Sequence, residues 1–137
     1  MSVRFDVAAH PGELAYKLLA GLGVPRPIAL VTTVDAAGIV NAAPFSFFNV
    51  MGAEPAIAVL APADRDDGSL KDTAANLTAN AECVIHLCDE AVATKMVECA
   101  RALPPGVSEV PRAGFTLTPS ERVRVPRLVE CPVALEC

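Results

Sequence analysis

The sequence predicts a mainly β fold, an antiparallel barrel with helices at its periphery, and three observations carry that prediction. Strand-like runs joined by a tight turn come before the helices instead of alternating regularly with them, which argues against a doubly wound parallel sheet. A dinucleotide fingerprint is absent: Gly21-Leu22-Gly23 runs into Val24-Pro25-Arg26-Pro27, and the prolines forbid the helix whose start would hold a pyrophosphate. The chain has 137 residues, 53% hydrophobic and 20% charged, which is too apolar for disorder and enough for one compact core. A single domain over residues 1–137 is expected, needing neither disulfides nor a structural metal.

An amphipathic helix is expected from Pro11 to Ala20, with Leu14, Leu18 and Leu19 on its packing face and Gly21 or Gly23 ending it. Four strands follow, Ile28–Thr33, Ile39–Ala43, Ala56–Leu60 and Cys83–Leu87, all rich in Val, Ile and Ala. Asp35-Ala36-Ala37-Gly38 joins the first two; with glycine free to take positive φ, it fits an antiparallel hairpin. Helices are expected at about Leu70–Ala79 and Glu90–Arg101. Short strands, Phe115–Thr118 and Val133–Cys137, lie in a segment where Pro104, Pro105, Pro111, Pro119, Pro126 and Pro132 prevent long helices.

Composition excludes several functions. A formal charge of -5 is the wrong sign for a general nucleic-acid binder. Charged residues or prolines interrupt every apolar run before membrane-spanning length, and residues 1–10 lack the apolar core of a secretory signal, so a cytoplasmic address is expected. The five cysteines, Cys83, Cys88, Cys99, Cys131 and Cys137, include no C-x-x-C and suggest neither a disulfide framework nor a zinc site. They read as reduced core or surface thiols; a Cys83–Cys88 redox pair is the rival, with Glu82 and Asp89 of the wrong sign to activate it. His86, inside an apolar strand, reads as a structural histidine.

Two segments could carry chemistry. In Asp67-Gly68-Ser69-Leu70-Lys71-Asp72-Thr73, Ser69 and Asp72 have capping-box spacing, and the amides of a helix start, with Lys71 and the Thr73 hydroxyl, would suit a phosphate. From this segment alone a plain cap with a solvated Lys71 is the simpler reading, because S-x-x-D is common. In the second, Thr32, Thr33, Asn41 and Ser46 interrupt apolar sequence, and Ala42, Ala43 and Pro44 leave backbone unshielded by large side chains, next to Phe45. That mix suits a flat, partly polar aromatic ligand, although the threonines could equally be ordinary strand formers and the phenylalanines core.

The ordered set Pro25-Arg-Pro-Ile-Ala-Leu-Val-Thr-Thr, Gly38, Asn41-Ala-Ala-Pro-Phe-Ser, Glu54-Pro55, Lys71-Asp-Thr and Asn76 closely resembles the flavin reductase-like proteins of the FMN-binding split barrel. Glu82-Cys-Val-Ile-His-Leu also looks like the family strand that follows the helix. The resemblance implies a split β-barrel and a homodimer holding FMN near the subunit interface. It also implies NAD(P)H as electron donor and, in some relatives, a monooxygenase that consumes the reduced flavin. Carried over by position, it implies Thr32 and Thr33 at the flavin or its ribityl chain and Asn41, Ala42, Ala43, Pro44, Phe45 and Ser46 at the isoalloxazine edge. Ser69, Lys71, Asp72 and Thr73 then fall at the FMN phosphate, where helix-start electrostatics had already pointed; Arg26 and Asn76 are weaker candidates. Hydride transfer demands no side-chain acid or base, so no catalytic residue and no metal ligand is assigned.

Family members generally continue past the position of Cys137 with further strands, so the chain is expected to be a barrel lacking its C-terminal strands, with an unpaired edge. Two other functions stand beside the reductase: a flavin-binding module without NAD(P)H chemistry, and a degenerate fragment that acts only through protein interaction.

Overall fold

Asp35 shapes the first hairpin. In the computed structural model, which describes every residue except Met1, Val3 and Pro11, its carboxylate accepts the amides of Ala37 at 2.9 Å and Ile39 at 2.8 Å. Gly38 takes φ +83° there, a conformation that side chains disfavour. The turn joins β1 (Ala29–Val34) to β2 (Val40–Phe45) antiparallel, as the sequence leads one to expect. β5 (Val84–Leu87) pairs with the other side of β1, and β8 (Val133–Glu136) with β5, giving a four-stranded antiparallel sheet in the order β2-β1-β5-β8. Two separate ribbons accompany this sheet: β3 (Phe48–Ala53) with β4 (Ala56–Leu60), and β6 (Leu117–Thr118) with β7 (Arg127–Leu128).

β1 is central and buried on both faces, which is why it reads as a continuous apolar run instead of an alternating one. One face places Leu30 against Ala42, Val110, Phe115 and Leu128. The other places Ala29 and Val31 against Phe48, Cys83 and Ile85. Burying a side chain such as Leu30 contributes about 1.5–3 kcal/mol.

The helices sit outside this sheet, with boundaries that differ from the sequence reading for local reasons. α1 (Glu13–Leu22) starts after Gly12, so the expected first-turn role of Pro11 lies outside the described residues. Its apolar face does not pack within the chain as expected: Ala15 is buried, whereas Leu14 and Leu19 are 52% and 51% exposed, no element among the described residues covering them. α2 (Asp72–Asn80) begins two residues later than read, because Ser69 belongs to the preceding turn. The expected helix over Glu90–Arg101 divides into a 3₁₀ turn, Glu90–Val92, and α3 (Ala93–Glu98). Asp89 caps that turn through the Ala91 amide. α4 (Val110–Ala113) forms inside the proline-rich stretch because Pro111 occupies its first turn, where no intrahelical donor is needed, and Gly114 ends it at φ +72°.

β2 is an edge strand, and its edge is covered. The Ser108 hydroxyl donates to the Val40 carbonyl and the Glu109 carboxylate accepts the Ala42 amide at 3.0 Å, while Pro44 has no amide to offer.

Candidate functional site

The site lies where the start of α2 faces β2. α2 is held to the sheet by a polar seam: Asn41 Nδ2 donates to Thr73 Oγ1 at 2.9 Å, Asn76 Nδ2 to Thr33 Oγ1 at 3.0 Å, and Asn80 Nδ2 to the Val34 carbonyl at 2.7 Å. Residues 73, 76 and 80 share one helix face by their spacing of three and four. Thr33, Asn41, Thr73 and Asn76 are buried in this seam.

The amides of Asp72, Thr73 and Ala74 precede the first intrahelical bond, which Ala75 N–H makes to the Lys71 carbonyl. No side chain caps this end. Ser69 does not, because both its hydroxyl, at 2.6 Å, and its amide, at 2.9 Å, bind the Asp67 carboxylate. Those bonds hold the Asp67 carboxyl below its ordinary range. Arg65 closes over the same turn, donating to the Leu70 carbonyl and pairing with Asp72 at 3.0 Å. The helix start therefore presents free amides and the Lys71 ammonium, with its one first-turn acid neutralised by Arg65.

A cavity of about 240 Å³ opens between this helix start and β2. Seven of the twelve residues selected from the sequence line it: Asn41, Ala43, Pro44, Phe45, Lys71, Asp72 and Thr73. The other five stand elsewhere. Thr32 is fully buried, its hydroxyl donating to the Pro126 carbonyl at 2.9 Å. Thr33 accepts from Asn76 in the seam, and Ala42 is buried with its amide on Glu109. Ser69 is held by Asp67, and Ser46 lines a separate groove of about 470 Å³ between α1 and the β3–β4 ribbon. Of the weaker candidates, Asn76 is a seam residue and Arg26 caps α1, donating to the carbonyls of Ala20 and Gly23 and lying 5.6 Å from the Phe47 ring centre.

Sequence reasoning missed the remaining walls: Arg65, Glu109 and the segment Cys99–Leu103. Arg65 sits in the charge run Asp64-Arg65-Asp66-Asp67, which reads as a solvated face, and Glu109 lies in the proline-rich stretch. Only the tertiary fold brings them to β2. Burial pushes the Glu109 carboxyl up, and the Ala42 amide opposes that shift. His86 is the structural residue expected: fully buried, it accepts the Leu128 amide on Nε2 at 3.0 Å, which leaves Nδ1–H to donate to the Leu30 carbonyl at 3.0 Å. Among the described residues no cluster of three His, Cys, Asp or Glu could hold a metal, and no helix is long and apolar enough to cross a membrane.

The antiparallel sheet with its flanking ribbons and helices is the fold of the split-barrel flavin reductases. More narrowly, residues 21–137 match the flavin reductase like domain, and the chain belongs to that family. It is 42% identical over 135 residues to an uncharacterised protein of Aquifex aeolicus, covering 98% of this chain and 69% of that one. Nitrilotriacetate monooxygenase component B from Bacillus cereus superposes with a TM-score of 0.93 at 35% identity, covering 100% of this chain and 67% of that one. The 2-nitrobenzoate 2-nitroreductase of Pseudomonas fluorescens gives 0.85 at 37% identity, covering 98% and 64%. Three further relatives, 42–48% identical, are covered over 58–60% of their length. The chain thus spans roughly three fifths to two thirds of the proteins it resembles.

Proposed function

We propose that this chain is the flavin-binding part of a reductase that holds FMN between α2 and β2 and passes electrons from NAD(P)H to it. The observation that carries the reading is the joining, in one cavity, of a cationic helix start with the half-buried Ala43–Phe45 stretch of β2. The donor set fits the cofactor. Amides of the first α2 turn, the Lys71 ammonium and the Thr73 hydroxyl suit a phosphate dianion, and Arg65 offsets the Asp72 charge beside them. Pro44 has a carbonyl and no amide, so this point of β2 can accept from a ligand N–H but cannot donate. Phe45 gives an apolar wall for a ring face.

When bound, FMN supplies a two-electron acceptor for hydride. The chain's own work is positional. Lys71 and the helix start anchor one end of the ligand, Ala43 to Phe45 align the other, and Glu109 keeps the β2 backbone in place through the Ala42 amide. Transfer of the reduced flavin to a monooxygenase belongs to the same reading and is supported by the likeness to a monooxygenase component. So does a homodimer, supported by apolar side chains open on α1 and the β3–β4 ribbon, and a cytoplasmic setting, supported by five unbridged cysteines.

The test compares FMN with riboflavin, which lacks the phosphate. Lys71→Ala should weaken FMN about tenfold to a hundredfold, the value of one charge-assisted hydrogen bond, and leave riboflavin nearly unchanged. Equal losses for the two ligands would refute the assignment. Steady-state NAD(P)H oxidation with added FMN separates a reductase from a flavin-binding module without that chemistry.

A further inference from the structure

The groove of about 470 Å³ between α1 and the β3–β4 ribbon shares no residue with the cavity at the start of α2. Its walls are largely apolar, with Leu19 from α1, Phe47 just before β3, and Met51 and Val59 from the ribbon, while Ser46 and Asn49 add polar points. Arg26 is the only charged residue lining it, on a chain whose net charge is -5. Among the described residues no carboxylate pairs with Arg26.

Half of that guanidinium is engaged. Its Nη1 donates to the carbonyls of Ala20 and Gly23, the latter at 2.9 Å, which ties Arg26 across the end of α1. Nε is buried without a partner, and Nη2 makes no hydrogen bond among the described residues. Nε–H and the neighbouring Nη2–H form the edge through which a guanidinium grips a carboxylate by two parallel bonds. A buried N–H with nothing to bind is unfavourable, so this edge stands ready for an acceptor. The Phe47 ring centre lies 5.6 Å from the guanidinium carbon, and Tyr16 meets that ring edge-on at 5.6 Å.

We propose that this groove is a second binding site, for an aromatic monocarboxylate, with the carboxylate on the Nε–Nη2 edge of Arg26 and the ring against Phe47, Leu19 and Met51. The chemistry of the ligand follows from the walls. One unpaired cation matches one negative charge, whereas a phosphate dianion is better met by the amides and ammonium at the start of α2. A flat apolar body suits the aromatic and aliphatic side chains, Phe47 offering a face or edge for an offset stack. The volume lies within the range of small-molecule sites. The proposal does not rest on flavin binding, since no residue of the α2 cavity takes part.

The experiment follows the fluorine NMR signal of para-fluorobenzoate added to the full chain. The expected result is saturable broadening that unlabelled benzoate reverses and benzamide, which has the same ring and no charge, does not. Arg26→Gln should weaken binding about tenfold or more through loss of the charge-assisted pair, and Lys71→Ala should leave it unchanged. Because Arg26 also closes the end of α1, the benzoate–benzamide comparison is made on the wild-type chain, where no variant has to fold. Absence of saturable binding would overturn the proposal, as would equal displacement by benzoate and benzamide or an unchanged affinity in Arg26→Gln. Loss of binding in Lys71→Ala would overturn it too, by moving the anion to the start of α2. So would an affinity that falls as protein concentration rises, the sign of a second copy filling the groove.

Discussion

Asn76 and Asn41 show how polar residues in apolar sequence acquire their meaning. Asn41 was legible as unusual, since an amide in such a setting needs a partner, whereas Asn76 drew notice only through the family resemblance. The sequence does not say whether that partner is a ligand or another element. Asn76 bonds the Thr33 hydroxyl and Asn41 the Thr73 hydroxyl, so much of the polarity that suggests a binding site is spent fixing α2 to the sheet. His86 was readable as structural because nothing polar in its own strand could make it a base. Its partners, Leu30 and Leu128, come from two other strands. Burial lowers the His86 pKa from 6.5; the Leu30 bond opposes the shift and Arg127 adds to it. Below about pH 6.5 the unfolded chain takes up a proton that the folded one resists, so stability present above that pH is lost progressively toward acid. His86→Leu should abolish that component and cost about 1–3 kcal/mol at neutral pH by stranding the Leu128 amide. Urea midpoints of both proteins across that range check it; an unchanged acid dependence in the variant would contradict the role.

At the scale of elements, the strands with a continuous apolar pattern, β1, β4 and β5, were readable to within a residue or so. β3 was not. Its side chains are largely exposed, and Asn49 and Gly52 break any alternation, so it is a strand only because β4 pairs with it. β7, two residues long, depends in the same way on β6. The start of α2 was misplaced because Ser69 satisfies a capping pattern, yet Asp67 lies nearer and binds it first. The β1–β2 turn was fully legible, since Asp35 and Gly38 act through neighbouring backbone. Gly38→Ala should cost about 1 kcal/mol through positive φ alone, since no atom stands near the added methyl. A lower urea midpoint with an unchanged slope is the expected result.

For the whole molecule, the resemblance named the family, and the antiparallel class and first hairpin followed from element order and turn chemistry. How much apolar surface stays uncovered could not be read from periodicity, which marks a face without saying what meets it. Val50, Met51, Ile57 and Val59 on the β3–β4 ribbon are 47–67% exposed, and Leu14, Tyr16, Leu19 and Leu22 on α1 are 51–73% exposed. Surface of that extent is what two copies of a subunit bury on pairing. If the proposed dimer forms through this face, Met51→Lys should shift the mass distribution toward monomer in sedimentation velocity. An unchanged mass distribution would remove this face from the proposed interface.

The amides of Asn41, Asn76 and Asn80 tie a whole helix to its sheet through directional contacts, where grease would have let it slide. The cationic mouth is consequently stationed at a fixed reach from the strand beside it, so on the proposed reading the cleft would act as a gauge, taking a ligand by the length of its tail as well as by its charge.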